Sequence, residues 1–208
     1  MADPERKATA IIRRRYNRNA FLYDFIEAPM ERRFATWRRR LRDRVAGPRA
    51  LEVGVGTGKN LPYYPDDVSV TAIDFSPRML ARAWAVARRR GMPIDFQEMD
   101  VQHLDLPAHS FDTIFATFVF CSVPNPVSGL AELRRVCKPG GRLLLLEHMR
   151  PENFWLGLLF DALNPLMVRI TGANINRRTM ANIEQAGWKI DVAQPLSGDI
   201  VWWIEATI

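Results

Sequence analysis

The spacing of apolar positions divides the chain into a helical N-terminal stretch and a body in which strands and helices alternate. Met30, Phe34, Trp37, Leu41 and Val45 recur at intervals of four, three, four and four, which is one face of a helix. Helical patterning extends over residues 4–45, with a break expected near Pro29, where a backbone donor is lost and the preceding turn is crowded. From residue 50 the period changes. Residues 50–55, 68–74, 93–99, 111–117 and 142–148 read as strands. A helix starts near Thr57 and is cut short by Pro62; another opens at Ser76-Pro77 and closes at Gly91; a third covers 127–137. This alternation predicts a doubly wound α/β sheet with helices on both faces. Residues 188–192 and 200–208 have no helix between them, so they form a hairpin that makes the sheet seven-stranded and mostly parallel.

One stretch departs from this scheme. Residues 154–160 (FWLGLLF) carry no polar side chain, and Asp161, Asn164 and Pro165 interrupt the pattern before 166–170. The segment is too short and broken to span a bilayer. It reads either as a lid over an apolar substrate cavity or as a well-buried helix pair.

The chemistry concentrates at 50–60, ALEVGVGTGKN, where Gly54, Gly56 and Gly58 follow a strand. Glycines there let the backbone turn sharply and approach a ligand. A phosphate-cradling loop would need glycine at Val53 and a hydroxyl at Asn60, and a dinucleotide fingerprint would need glycine at Lys59. Neither fits. What remains is E-x-G-x-G-x-G, followed by Asp74 at the end of the next strand, where a carboxylate accepts both hydroxyls of a ribose.

This pairing resembles the cofactor site of the class I S-adenosylmethionine-dependent methyltransferases. DFSPRML at 74–80, Asp100 and LRRVCKPGGRLLLLEH at 133–148 follow in that family's order. The resemblance implies a Rossmann-like fold with an N-terminal helical arm, S-adenosylmethionine as cofactor, and no metal. It implies that Gly54, Gly56 and Gly58 meet the methionine part while Glu52 and Asn60 support the loop. Asp74 would hold the ribose, Phe75 and Met79 would flank the adenine, and Asp100 with the Val101 amide would read its edge. Thr117 and His148 end strands that face the same pocket. Of the three histidines, His148 is the candidate proton acceptor, the alternative being a hydrogen-bonded structural role; His103 and His109 lie in a polar connection.

YNRNAFLYD at 16–24 resembles the Y-D-x-x-A-x-x-Y-D element that closes over the cofactor in quinone and phospholipid methyltransferases. Tyr16 and Tyr23 lie seven residues apart and share a helix face. Asn17 stands where that element has its first aspartate. The acceptor side is similar to phospholipid N-methyltransferases, which methylate phosphatidylethanolamine, and to microsomal thiol methyltransferases, whose counterpart of FVFCSVPNP at 118–126 and of Glu147-His148 is alike. Quinone C-methyltransferases come third. Phosphatidylethanolamine is the first reading, with a small thiol or a quinol as alternatives. A non-catalytic, membrane-associated cofactor-binding module is the reading from another class.

Charge sharpens the partner. The chain of 208 residues carries a net +6, yet residues 1–50 hold fourteen Lys/Arg against six Asp/Glu and the remainder fifteen against seventeen. A basic arm (1–46) therefore precedes a near-neutral methyltransferase body (47–208), with 151–178 inserted on the acceptor side. Arginines interleaved with apolar residues over 1–45 suit an anionic membrane surface, the alternative being an apolar face packed on the body. No nucleic-acid partner is expected, because the basic residues lie on the arm and no Asn-Pro-Pro-Tyr-type motif follows the fourth strand. Two cysteines without metal spacing, and no apolar leader, point to a cytoplasmic monomer, peripheral at the inner membrane face.

Overall fold

Seven strands hydrogen-bond into one sheet: β1 (Arg49–Val53), β2 (Ser69–Asp74), β3 (Asp95–Glu98), β4 (Phe111–Thr117), β5 (Cys137–His148), β6 (Lys189–Ser197) and β7 (Val201–Thr207). Their order is β3-β2-β1-β4-β5-β7-β6. The first five pair in parallel, and β7 runs antiparallel to both β5 and β6. The computed structural model describes residues 4–208, the side chains of 4–6 and 19–32 excepted. The chain winds outward from β1 to β3 and then returns to β4 beside β1, so the order reverses between β1 and β4. Above the carboxyl ends of these two strands the connecting loops part, which leaves a crevice.

Among the described residues there are five helices: α1 (Pro4–Arg44), α2 (Pro77–Arg90), α3 (Pro126–Val136), α4 (Phe154–Thr171) and α5 (Thr179–Gln185). On one face Leu51, Val53 and Ile114 pack with Leu130 and Leu133 of α3 and Ile183 of α5. On the other, Ala50, Ala72 and Phe115 pack with Leu41 of α1 and with Ala83 and Ala87 of α2. The predicted caps form. The Ser76 hydroxyl accepts the Met79 amide at 3.2 Å, and Gly91 closes α2 at φ 65°. Arg88, Arg89 and Arg90 occupy the last turn, at the negative end of the helix dipole.

Four expectations are corrected. The N-terminal helix does not break at Pro29; α1 continues through it for 41 residues, about 60 Å. Its last turns, from Phe34 to Arg44, are held by the body, which offsets one lost hydrogen bond. Phe34, Leu41 and Val45 are buried, and Arg44 Nε donates to Glu205 on β7 at 3.0 Å. The helix expected from Thr57 is reduced to a 3-10 turn at Leu61–Tyr63, with Pro62 near its start. The strand expected at 142 already begins at Cys137 and carries the glycine pair within it.

The fourth correction concerns 151–178, which is neither a lid over the cleft nor a buried helix pair. It holds one 18-residue helix, α4, and only Gly157 of that helix is fully buried. Asp161, Asn164 and Pro165 do not end the helix, because Asp161 and Asn164 find partners on the segments that flank it, Arg150 on one side and residues 174–176 on the other. Among the described residues α4 is the one helix long and apolar enough to cross a membrane.

Candidate active site

The glycine turn follows β1 directly. Gly54 has φ 65°, and a Cβ there would stand 2.5 Å from Val119 Cγ2. Gly58 has φ 86°, and a Cβ would meet Leu61 Cδ1 at 2.6 Å and the α2 backbone at Ala83 Cα at 3.0 Å. Two costs combine at Gly58, a left-handed conformation and overpacking against a helix. Gly58→Ala is expected to lower stability by on the order of 2–4 kcal/mol in urea unfolding; an unchanged midpoint would show that the turn relaxes.

Below the turn lies a buried polar network. Glu52 points from β1 to the α1 and α2 side, where the Tyr64 hydroxyl and Asn60 Nδ2 both donate to its carboxylate. Asn60 Oδ1 accepts from Arg38 Nη1, and the Thr117 hydroxyl at the end of β4 accepts from Asn60 Nδ2 at 3.1 Å. Burial pushes the Glu52 carboxyl up to about 7, opposed by the bonds from Tyr64 and Asn60 and by the charge of Arg38. The network ties α1, β1, β4 and the turn after Asn60 together beneath the glycines.

Above the turn, Asp74 ends β2 with its carboxylate split between two amides. Gly56 N donates to Oδ2 at 2.9 Å and Ser76 N to Oδ1 at 2.8 Å. Burial raises its pKa to about 6, against the lowering effect of those two bonds. A cleft of about 680 Å³, measured to its open mouth, lies over this carboxylate. Val53, Gly54 and Gly56 line it at the base and Phe75 and Met79 on one side, with Asp100 and Val101 beyond β3. Thr117, Phe118 and Val119 close the β4 side.

The first half of α1 crosses the mouth. Tyr16 and Thr9 line the cleft. The Tyr16 ring meets Phe75 edge-on at 5.7 Å, and the Thr9 hydroxyl donates to Asp100 Oδ2 at 3.1 Å. Asn17 is tied to the start of α2: its Oδ1 accepts from the Ser76 hydroxyl at 2.7 Å. An amide at 17 thus still links the arm to the helix that begins beside Asp74.

Of the eleven residues expected to hold the cofactor, Gly54, Gly56, Asp74, Phe75, Met79, Asp100, Val101 and Thr117 meet at this cleft. Glu52 and Asn60 lie in the network beneath it, and Gly58 packs against Ala83. The Tyr23 side chain lies outside the described residues. His148 does not line the cleft; its ring stacks on Phe118, which does, with centroids 4.4 Å apart. His103 lies on a separate surface depression with Glu132, and His109 Nδ1 is 3.1 Å from the Cys137 carbonyl oxygen.

Sequence reasoning missed three contributors. Arg38 is one of the arginines of the basic arm, yet it is 3% exposed and bonds under the glycine turn. The signal was present, since 38 falls four after Phe34 and three before Leu41, on the apolar face itself. Glu147 is fully buried, with its carboxyl pushed up to about 7 by burial, and accepts the amides of Val119 and Phe120 at 2.8 and 3.0 Å. It fixes the turn that holds Phe118 at φ 58°, a conformation bulky residues seldom adopt. Gln102 links the two ends of the cleft, donating to Asp100 and to Thr9 and accepting from the Asn125 amide.

These residues fit the cofactor that the sequence resemblance implies. Asp74 presents a buried carboxylate over a turn where a Cβ at Gly54 would intrude, and Phe75 and Met79 offer apolar flanks for a flat base. Only the charged form of Asp74 accepts two hydroxyl donors. Its pKa near 6 makes the ionised fraction fall below that pH. Affinity for S-adenosylmethionine is therefore expected to be flat above pH 7 and about tenfold weaker at pH 5. Calorimetric titration across that range checks this, and a pH-independent Kd would contradict it.

Residues 51–145 match the family model described as a methyltransferase domain. A phosphatidylethanolamine N-methyltransferase of Cereibacter sphaeroides is 42% identical over 119 residues, 56% of this chain and 59% of that protein. A demethylmenaquinone methyltransferase of Renibacterium salmoninarum is 40% identical over 119 residues, 55% and 48% of the two chains. A thiol S-methyltransferase of Rattus norvegicus is 33% identical over 145 residues, 65% and 58%. The chain thus matches about half the length of these relatives. Among solved structures, a methyltransferase of Thermotoga maritima superposes with TM-score 0.70 at 21% identity, covering 93% of this chain and 98% of that one. The cyclase SpnF superposes with TM-score 0.64 at 28% identity, covering 78% and 61%.

Proposed function

We propose, on the premise that residues 51–145 are a class I S-adenosylmethionine-dependent methyltransferase domain, that the protein methylates the amino headgroup of phosphatidylethanolamine at a membrane surface. The observation that carries methyl transfer is the Asp74 carboxylate over the Gly54–Gly56 turn, at the point where strand order reverses. The lipid acceptor is supported by the likeness to a phosphatidylethanolamine N-methyltransferase and by the excess of arginine on the arm. Residues 1–46 act as arm and lid, with Tyr16 at the mouth of the cleft. Residues 151–178 belong to the acceptor side.

When bound, the cofactor supplies a methyl group on a positive sulfonium, already electrophilic, so alignment is most of the protein's task. The glycine turn, Asp74, Phe75 and Met79 fix that group, while Tyr16 and the Phe118 turn shape the acceptor side and exclude water. A headgroup amine is protonated near neutral pH and must lose that proton before attack. His148 lies one ring behind Phe118 and does not line the cleft, so as the base it would take that proton through one intervening water. A small thiol or a quinol in the same cleft would need the same proton removed, and both acceptors have named relatives. The test offers phosphatidylethanolamine, small thiols and quinols together with S-adenosylmethionine and reads products by mass spectrometry. Mono-, di- or trimethylated phosphatidylethanolamine is expected. Methylation confined to the thiol or the quinol would replace the lipid reading.

A further inference from the structure

The helix α4 is amphipathic in the reverse sense from a soluble-protein helix. Its two mid-helix polar side chains, Asp161 and Asn164, hold partners on the flanking segments, while Arg169 and Thr171 are exposed at its carboxyl end. Asp161 takes a bidentate pair from Arg150, with Nη2 to Oδ2 at 2.9 Å, and accepts from Asn176 at 3.0 Å. Asn164 accepts the Ile175 amide at 2.9 Å and donates to Asn174 at 3.2 Å. The outward stripe is Trp155, Leu158, Leu159, Leu163, Leu166 and Ile170, spaced 3, 1, 4, 3 and 4, with exposures from 42% for Leu163 to 77% for Trp155. A contiguous apolar stripe of this kind on a surface helix marks a docking face.

We propose that α4 is a bilayer-docking helix that lies flat in the interface of an anionic membrane with this stripe in the acyl region. Charge selects the occupant. Exposed Arg169 and Arg178 flank the carboxyl end of the stripe, and exposed Arg14 and Arg18 stand on the neighbouring part of α1. The two helices meet there, since Arg15 Nη1 donates to the Val168 carbonyl at 2.5 Å. Anionic headgroups match this rim, whereas a second copy on a twofold axis would bring the same cations together. Phe154 and Trp155, in edge contact at 5.2 Å, sit at the amino end, suited to the headgroup level. The helix lies flat and does not span, because spanning would strip Asp161 and Asn164 of their partners and place them in hydrocarbon.

The placement gives the face a purpose. A Cβ at Gly172, just past α4, would lie 3.8 Å from the ring of Tyr16, which lines the cleft. The Asn174 amide donates to the Cys121 carbonyl at 2.7 Å, next to Ser122 at the cleft wall. Docking through α4 therefore turns the acceptor side of the cleft towards the bilayer. The inference goes beyond the choice of acceptor, and its test reads binding and not turnover.

The experiment is co-sedimentation of the full chain with vesicles of phosphatidylethanolamine and phosphatidylglycerol, compared with a variant carrying Leu158→Ser, Leu159→Ser and Leu163→Ser. These side chains are exposed, so thermal unfolding of the unbound protein should be unchanged, while vesicle partition falls at least about tenfold. Brominated lipid should quench the part of the fluorescence that Trp155→Phe removes. Equal partition by the triple variant, or no quenching of Trp155, would overturn the proposal. A wild-type protein that ignores the vesicles and self-associates through this face would also overturn it, in favour of a second copy as the occupant.

Discussion

His148→Phe is expected to reduce turnover by about 10²–10⁴ while leaving the Kd for S-adenosylmethionine within a factor of a few. Phenylalanine keeps an aromatic face against Phe118, which His148 meets at a centroid distance of 4.4 Å, so packing of the cleft wall is preserved. What it removes is the nitrogen proposed to take the acceptor's proton. The remaining histidines cannot substitute. His109 sits against the Cys137 carbonyl, and His103 lies beside Glu132 on another surface. Single-turnover kinetics over a range of pH separate the two roles. Loss of the base lowers the single-turnover rate at every pH, whereas loss of packing support raises the Kd for the cofactor or lowers the unfolding midpoint. Normal turnover by the phenylalanine variant would reduce His148 to support for Phe118.

Asp74→Ala is expected to weaken cofactor binding by about 1.5–3 kcal/mol, roughly one to two orders of magnitude in Kd, through loss of a charge-assisted pair of hydrogen bonds. The fold should tolerate the change better than its burial implies. Burial raises the Asp74 pKa to about 6, so above that pH the unbound protein holds a charge it has desolvated. Removing the carboxylate relieves that penalty, and water at the open cleft reaches the freed amides of Gly56 and Ser76. Binding and stability should therefore separate, with the loss appearing in calorimetry and not in unfolding. Unchanged affinity would take Asp74 out of the site.

The sheet and the cofactor side of the cleft were legible because their signals are periodic and local. The change from helical spacing to strands at residue 50, Ser76-Pro77 before α2 and Gly91 after it each describe their own neighbourhood. Asp74 and the glycines needed only the rule that parallel strands present ligands at their carboxyl ends. The misreadings share a cause, which is that a residue's type was taken to fix its exposure. Arg38 reads as a solvated arginine until Asn60 and Thr117 are brought to it by chain 22 and 79 residues away. Pro29 reads as a break until the body holds the last turns of α1. In α4 the inference ran backwards: an apolar run was assumed to be inside, whereas Asp161 and Asn164 bond to the flanking segments and the leucines face out. Glu147 left no local trace, because its partners are amides in a turn set by β4.

The central claim, methyl transfer from S-adenosylmethionine, is tested most directly by following a labelled methyl group. Cofactor labelled at that methyl is incubated with the full chain and phosphatidylethanolamine vesicles, and lipid label and S-adenosylhomocysteine are measured together. The account predicts that both appear in equal amounts, that neither forms without acceptor, and that Asp74→Ala lowers both at limiting cofactor. Tight cofactor binding with no label passing to phosphatidylethanolamine, thiol or quinol would contradict it.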